Sequence, residues 1–377
     1  MKQFDVIITG TGAAGLWTAY HLSQMNYEGS VLMLDQQKFL NDNKNWSFWA
    51  REDEKELISF AEIKWDKGYV AEPGKQYAFS FGDFIYASLT ARSFYKRIYS
   101  ILDQLPNFNF IQAKVEKPSA DGTVLSDQGS FKANKLIFNS ILNSSELIFE
   151  SETFLWQHFY GQRVRFKEPY FKDRLVGFMD FDIDQKGDCR FLYVLPYSEH
   201  EALLEYTLFN HKLLSKAEYK MEWEQIVGDK YSLDYELVEE ELGKIPMCDF
   251  KFPKSDGKIY NVGTAGGMVK ASTGFAFRNI YYQTYQLCKS FINEGKPKYA
   301  KSPKRYQFYD YLLLKAINNN PKAYEIFVNL FKTEKDVPLV LSFLDGKNTL
   351  TEDLKVISKC PQVPFLKALV KSVSEIT

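Results

Sequence analysis

A short, continuous apolar run, Phe4 to Thr9, ends in glycines, and Ala13 to Met25 then sets Leu16, Ala19, Tyr20 and Leu22 at helical spacing. An unbroken apolar run bounded by turn residues reads as a strand buried on both faces, and spacing of three and four reads as a helix with one apolar stripe. Val31-Leu32-Met33-Leu34 gives a second buried strand that finishes at Asp35. These segments predict a strand–helix–strand unit with a right-handed crossover. A polar stretch, Gln36 to Lys44, leads into the aromatic cluster Asn45-Trp46-Ser47-Phe48-Trp49. A helix is predicted over about 85–105, with Phe94, Ile98, Ile101 and Leu102 on one face, and Lys135 to Asn139 reads as another buried strand.

From about 174 to 209 the pattern changes to period two. Leu175 to Phe181, Phe191 to Leu195 and Leu203 to Phe209 alternate, with Gly-, Asp- and Ser-bearing turns between them, which predicts an antiparallel meander. Lys258 to Gly263 returns to the buried-strand signature and passes through a glycine-rich turn into a helix over about 276–293. Past Pro297 the pattern is helical and is broken by Pro321, Pro338, Pro361 and Pro364. The predicted fold class is α/β: a doubly wound, Rossmann-type domain built from discontinuous segments, an antiparallel-sheet substrate domain and a C-terminal helical region. The nucleotide domain is expected to take 1–75 and 76–150 and to resume at 255–296, with the sheet domain at 151–254 and the helical region at 297–377.

Composition narrows the function classes. Lys plus Arg number 47 and Asp plus Glu 48, so the basic excess of a nucleic-acid binder is missing. Aromatic residues reach 16%, which suits a thick core and also a large apolar ligand. Cys189, Cys248, Cys288 and Cys360 lie far apart without a C-x-x-C pair, arguing against structural zinc or a disulfide framework and for a reducing compartment. His21, His158, His200 and His211 show no metal-ligand spacing, and His158 reads as a structural histidine. Without a signal-peptide pattern or a run of about 18 apolar residues, the expected location is cytoplasmic, touching a membrane at most from its surface.

Gly10-Thr11-Gly12-Ala13-Ala14-Gly15 fits G-x-G-x-x-G, with a strand before it, a helix after it and Asp35 20 residues beyond Gly15. Gly10 permits the tight turn, Gly12 lets backbone approach a pyrophosphate, Gly15 lets helix and strand pack closely, and Asp35 can accept hydrogen bonds from a ribose. The pyrophosphate would sit on the helix N-terminus formed by Ala13 and Ala14. The late turn, Gly263-Thr264-Ala265-Gly266-Gly267-Met268, would return the chain to the flavin end of a bound FAD, and Thr273-Gly274 would open a helix whose dipole favours an anionic reduced ring. Arg92 sits where a helix arginine could approach the cofactor, although a solvated helix face accounts for it equally.

Asn45 to Trp49, Met179-Asp180-Phe181, Phe191 to Pro196, Leu204-Glu205-Tyr206-Thr207-Leu208-Phe209, Gly266 to Lys270 with Ser272 to Phe275, and Phe343-Leu344-Asp345-Gly346 together resemble the flavin-containing lycopene cyclase family, of the bacterial β-cyclase type. The segment around Gln157 and Gly161 is similar too. The resemblance implies a flavoprotein of the aromatic-hydroxylase type of fold. It would cyclise the ends of lycopene or a related linear carotenoid with reduced FAD and no net redox change, with NAD(P)H as the reductant. Thr264 stands where hydroxylase relatives usually carry an aspartate, which favours a cyclase. Tyr206 stands where many cyclases carry a second acid, so the second carboxylate is missing from this motif.

Read on its own, Glu205 shares a strand face with Leu203, Thr207 and Phe209, so its carboxylate projects among apolar neighbours. If that face lines a pocket, desolvation suits the group to acid/base work near neutrality. Asp180 receives the same reading from a face shared with Val176 and Phe178. The alternatives are an FAD-dependent monooxygenase or isoprenoid reductase of the same fold, or a non-catalytic carotenoid-binding flavoprotein. For a cyclase, substrate access predicts peripheral membrane contact, with Tyr306 to Phe331 as the candidate surface.

Overall fold

The computed structural model describes residues 1–38, 44–142, 153–318 and 320–374. The fold is α/β. The expected boundary at 150/151 and part of the polar stretch before Asn45 lie outside the described residues.

The first sheet runs in the order Ser255–Asp256, Ile259–Asn261, Gly129–Asn139, Lys2–Thr9, Val31–Asp35, Phe108–Gln112, and the five strands from Ile259–Asn261 to Phe108–Gln112 are parallel. Val6, Ile7 and Ile8 are all fully buried, because both faces of a parallel sheet are covered. The helix Ala13–Gln24 covers one face and packs against Phe277–Glu294, so the late segment closes over the opening one.

The second sheet runs Tyr235–Met247, Leu155–Phe166, Glu201–Asn210, Cys189–Pro196, Val176–Asp180, Lys67–Glu72, Lys75–Ser80. The meander is present, but Lys67–Ser80, expected within the nucleotide-binding segments, joins this sheet through a parallel pairing with Val176–Asp180. Alternation along Glu201–Asn210 feeds two different cores. Leu203 and Phe209 face the C-terminal helices, whereas Leu204, Tyr206 and Leu208 face Trp223 of the helix Lys216–Lys230. A strand covered on both faces shows no exposed stripe although its side chains still alternate.

The helix predicted over 85–105 is two elements. Phe84–Thr90 is a strand of a small third sheet with Asn45–Arg51 and Ile63–Trp65, and the helix is Ala91–Leu102. Thr90 divides them: its hydroxyl accepts a hydrogen bond from the Ser93 amide at 3.2 Å, an N-cap that starts the helix there.

The motif segments are tied to one another. Trp49 Nε1 donates to Asp345 Oδ1 at 2.9 Å, and the other oxygen of Asp345 pairs with Arg278 at 2.7 Å. Lys270 and Ser272 of the late turn both reach Asp310 Oδ1 at 2.6 Å. These part-buried charge-assisted bonds tie the C-terminal helices to the two sheets.

Candidate functional site

One cavity of about 430 Å³ joins the two sheets. It begins at Gly12, Ala13 and Ala14, passes Gly263, Thr273 and Gly274, and ends against Phe178, Phe191, Tyr193 and Glu205 of the second sheet. Leu313, Phe327, Leu330 and Phe331 roof it. The described residues from Tyr306 to Phe331 are therefore largely interior, with Phe308 an exception at 47% exposure.

The fingerprint residues divide by what a side chain would meet. A Cβ on Gly15 would lie 1.9 Å from the Gly10 carbonyl oxygen, and one on Gly10, at φ +83°, 2.4 Å from Ser140 Oγ. Those two glycines serve packing. Gly12 has ordinary extended geometry, and a Cβ there, on the cavity wall, meets no atom of the described residues within 4 Å. Asp35 accepts the Thr11 amide at 2.5 Å, which ties the strand end to the glycine turn. In the late turn, a Cβ on Gly266 would collide with the Asn261 carbonyl at 2.2 Å, Gly267 has φ +62° and faces Phe252, and Met268 is fully buried with its sulfur accepting the Gly263 amide. These three shape the turn from outside the cavity wall. Arg92 is exposed and lies off the wall.

Two buried polar atoms on the wall, Gln157 Oε1 and Thr273 Oγ1, have no hydrogen-bond partner among the described residues. Unpaired buried polar groups are costly, so such atoms point to a polar ligand. With the open approach at Gly12 and the adjoining helix N-terminus, these residues are of the kind that could hold a dinucleotide.

Glu205 is 8% exposed and accepts the Thr207 hydroxyl at 2.8 Å. Beside it stands Glu241, a residue that sequence reasoning missed. Gly161 lies opposite Glu205 on one side and Glu241 on the other. A Cβ on Gly161 would fall 3.2 Å from Glu205 Cβ and 3.3 Å from Glu241 Cγ, so glycine lets the two side chains meet across it. Asn45 donates to Glu241 Oε2 from its amide at 3.0 Å and from Nδ2 at 2.9 Å. Burial raises the Glu205 carboxyl, against the lowering effect of hydrogen bonds from Glu241 and Thr207. Glu241 is raised well above the usual range, first by burial and then by the charge and hydrogen bond of Glu205.

A second carboxyl, absent from position 206, thus approaches Glu205 from another strand. Position 206 faces the opposite core, where the Tyr206 hydroxyl accepts Arg190 at 2.8 Å, so an acid there would point away from Glu205. Asp180 also departs from expectation. Gly177 pairs with Val194 but Asp180 pairs with Leu192, so one extra residue is accommodated between them. The bulge puts both Phe178 and Met179 on the cavity wall and turns Asp180 outward to Lys230 at 3.1 Å. His158 is buried on that outer side, bonded to the Tyr219 hydroxyl, and lowered to about 4 by burial and by Arg190.

Raised carboxyls give a pH signature. The folded state holds a proton more tightly than the unfolded chain, so the stabilisation is complete below the ordinary glutamate range and is lost as pH rises. Glu241→Gln should therefore raise the melting temperature at pH 8, with the gain shrinking toward pH 4.5. An equal effect of the substitution at both pH values would show that Glu241 ionises normally.

A family model described as "Lycopene cyclase protein" matches residues 5–370. The chain is 21% identical to the lycopene beta-cyclase of Pantoea ananas, over 97% of both chains. Among solved structures, it is similar to a geranylgeranyl bacteriochlorophyll reductase-like protein from Thermoplasma acidophilum, with TM-score 0.63, 14% identity and 100% of each chain covered. It is also similar to a flavoprotein/dehydrogenase from Cytophaga hutchinsonii, with TM-score 0.64, 12% identity and 99% and 100% covered. A halogenase solved in complex with FAD matches at TM-score 0.60 and 14% identity, over 91% of this chain and 82% of that one.

Proposed function

We propose, from the premise that this chain belongs to the lycopene cyclase family, that it is an FAD-dependent isomerase that closes the linear ends of lycopene, or a related carotenoid, into ionone-type rings. The observation that carries this reading is a buried carboxylate, Glu205, at the apolar end of a cavity whose other end is the dinucleotide fingerprint. Reduced FAD, when bound, supplies negative charge that stabilises a carbocation, and NAD(P)H is the reductant that would maintain it.

Cyclisation begins when the terminal double bond takes up a proton and an internal double bond attacks the tertiary cation. Phe178, Phe191 and Phe331 exclude water, which would otherwise capture that cation as an alcohol. Glu205 faces the cation as an anion and removes a ring proton. The C–H electron pair becomes the ring double bond and the proton ends on a Glu205 oxygen. One proton is taken up and one released, so substrate and product share a formula. Expression in cells that accumulate lycopene tests the assignment: cyclic carotenoid is expected, and unconverted lycopene beside folded, flavin-loaded protein would contradict it.

The substrate resides in lipid, so the protein is expected to work from a membrane surface. Among the described residues no helix is long and apolar enough to cross a bilayer. The roof segment is committed to the cavity, and the surface better suited to lipid is the helix Gln362–Ser374, where Val363, Leu366 and Val370 are 61%, 57% and 71% exposed beside exposed Lys367. Apolar and basic side chains on one short helix suit the interface of an anionic bilayer. Leu366→Glu with Val370→Glu should reduce co-sedimentation with anionic liposomes severalfold and leave flavin content unchanged. Equal sedimentation of variant and wild type would remove this helix from the account.

A further inference from the structure

We propose that Glu241 is the positioning partner of Glu205, a carboxyl that carries the pair's single proton and donates it in a hydrogen bond, so that Glu205 faces the cavity as the anion. The role rests on the cyclase reading, but the pairing itself is a matter of geometry. Three neighbouring strands bring Glu205, Gly161 and Glu241 into one row, and the missing side chain at Gly161 leaves room for the carboxyls to meet. Asn45 directs two N–H groups at a single oxygen, Glu241 Oε2. An oxygen that accepts two donors is the poorer place for a proton, which leaves Oε1 to carry it. Glu205 in turn accepts Thr207 at Oε1. Each carboxyl thus has one oxygen fixed by a neutral donor, and two carboxylates this close cannot both be ionised without a large cost in an apolar cavity.

This arrangement gives Asn45, the first residue of the Asn45–Trp49 motif, a role in the site. Tyr197 donates to Asn45 Oδ1 at 3.3 Å and so fixes the amide orientation that presents Nδ2 to Glu241. The other ionisable groups facing the pair are Tyr193, opposite Glu205, and Tyr86, bonded to Tyr193 at 2.5 Å. Burial raises the phenols of Tyr86, Tyr193 and Tyr197 above their usual range, so they stay neutral through moderately alkaline pH. Lys44 and Lys244 line the cavity wall, and Arg163 stacks over the Tyr197 ring at 3.9 Å. After Glu205 takes the ring proton, the pair holds two protons. Release of one restores its resting charge and balances the proton taken up by the alkene.

The test uses Glu241→Gln, whose amide can still donate to Glu205 but cannot titrate, and Glu241→Leu, which removes the donor. The infrared difference spectrum of wild type minus Glu241→Gln at neutral pH should show the C=O stretch of a protonated carboxyl. A difference containing carboxylate bands alone would overturn the pairing. In the cyclase assay, Glu241→Leu should lower kcat by about ten- to hundred-fold, the size of a lost hydrogen bond to a charged group, with KM little changed. Wild-type activity is expected to decline at alkaline pH as the pair loses its proton, and Glu241→Gln should restore most of the neutral-pH activity lost in Glu241→Leu and lack that decline. Wild-type kcat in Glu241→Leu, or an unchanged alkaline limb in Glu241→Gln, would overturn the positioning role. A protonated-carboxyl band in a wild-type protein that forms no cyclic product would support the pairing and overturn the cyclase reading, which separates the two.

Discussion

Glu205→Gln should fold, retain flavin and lose cyclisation by about a hundred- to thousand-fold, the usual cost of removing a principal acid/base or charge-stabilising group. The amide is nearly isosteric, its carbonyl can still accept the Thr207 hydroxyl, and the surrounding Leu203 and Phe209 are untouched. What disappears is the negative charge and the ability to accept a proton as a carboxylate does. Measured together, kcat, flavin content and melting temperature separate loss of chemistry from loss of structure. Asp180→Asn is the matching control. Its carboxylate pairs with Lys230 on the far side of the sheet, so the substitution should affect stability more than turnover. Wild-type turnover in Glu205→Gln would make Glu205 structural and remove the proposed mechanism.

Replacing Gly12 with valine should leave the fold intact and abolish flavin retention. At most glycines of the two turns a side chain would strike the protein itself, so loss of flavin there could follow from distortion. Gly12 is different: its backbone is extended, and a Cβ meets no atom of the described residues within 4 Å. The added side chain would occupy the approach that a pyrophosphate needs to reach the helix N-terminus at Ala13. Gly15→Ala is the contrasting variant, since its Cβ would lie 1.9 Å from the Gly10 carbonyl and should lower stability first. A Gly12→Val protein that copurifies with a full complement of flavin would place the cofactor elsewhere.

Local patterns and long-range pairing differ in what they reveal. The opening strand–helix–strand unit was legible because the glycines, the apolar runs and Asp35 lie close together in sequence and each obeys one rule. The face that Glu205 occupies was legible because alternation sets it, whereas its choice as a site residue rested on the family resemblance of Leu204 to Phe209. Asp180 was misplaced because the same alternation was applied across a bulge, and the extra residue between Gly177 and Asp180 leaves no mark in the apolar pattern. The helix expected from 85 merged a strand with a helix because Phe84–Thr90 is apolar enough for either, and the Thr90 cap was the overlooked divider. Glu241 was hidden inside Glu239-Glu240-Glu241, which reads as a solvated run. Only its register against Gly161 shows that the third acid turns inward. A glycine within an otherwise regular strand was the available signal, since it marks a close approach, and here it admits two carboxyls.

Rearrangement of a hydrocarbon without net transfer of electrons, the chemistry proposed for this chain, can be measured directly. Anaerobic enzyme is reduced with dithionite and given lycopene in excess over flavin, without NAD(P)H, in buffered deuterium oxide, and the product is analysed by mass. Multiple turnovers are expected, to a cyclic product in which each ring gains a deuterium from solvent, because a solvent-derived proton is taken up and a different, substrate-borne one is released. Turnover that halts at one equivalent of flavin, or a product that differs from lycopene by two hydrogens or an oxygen atom, would contradict it.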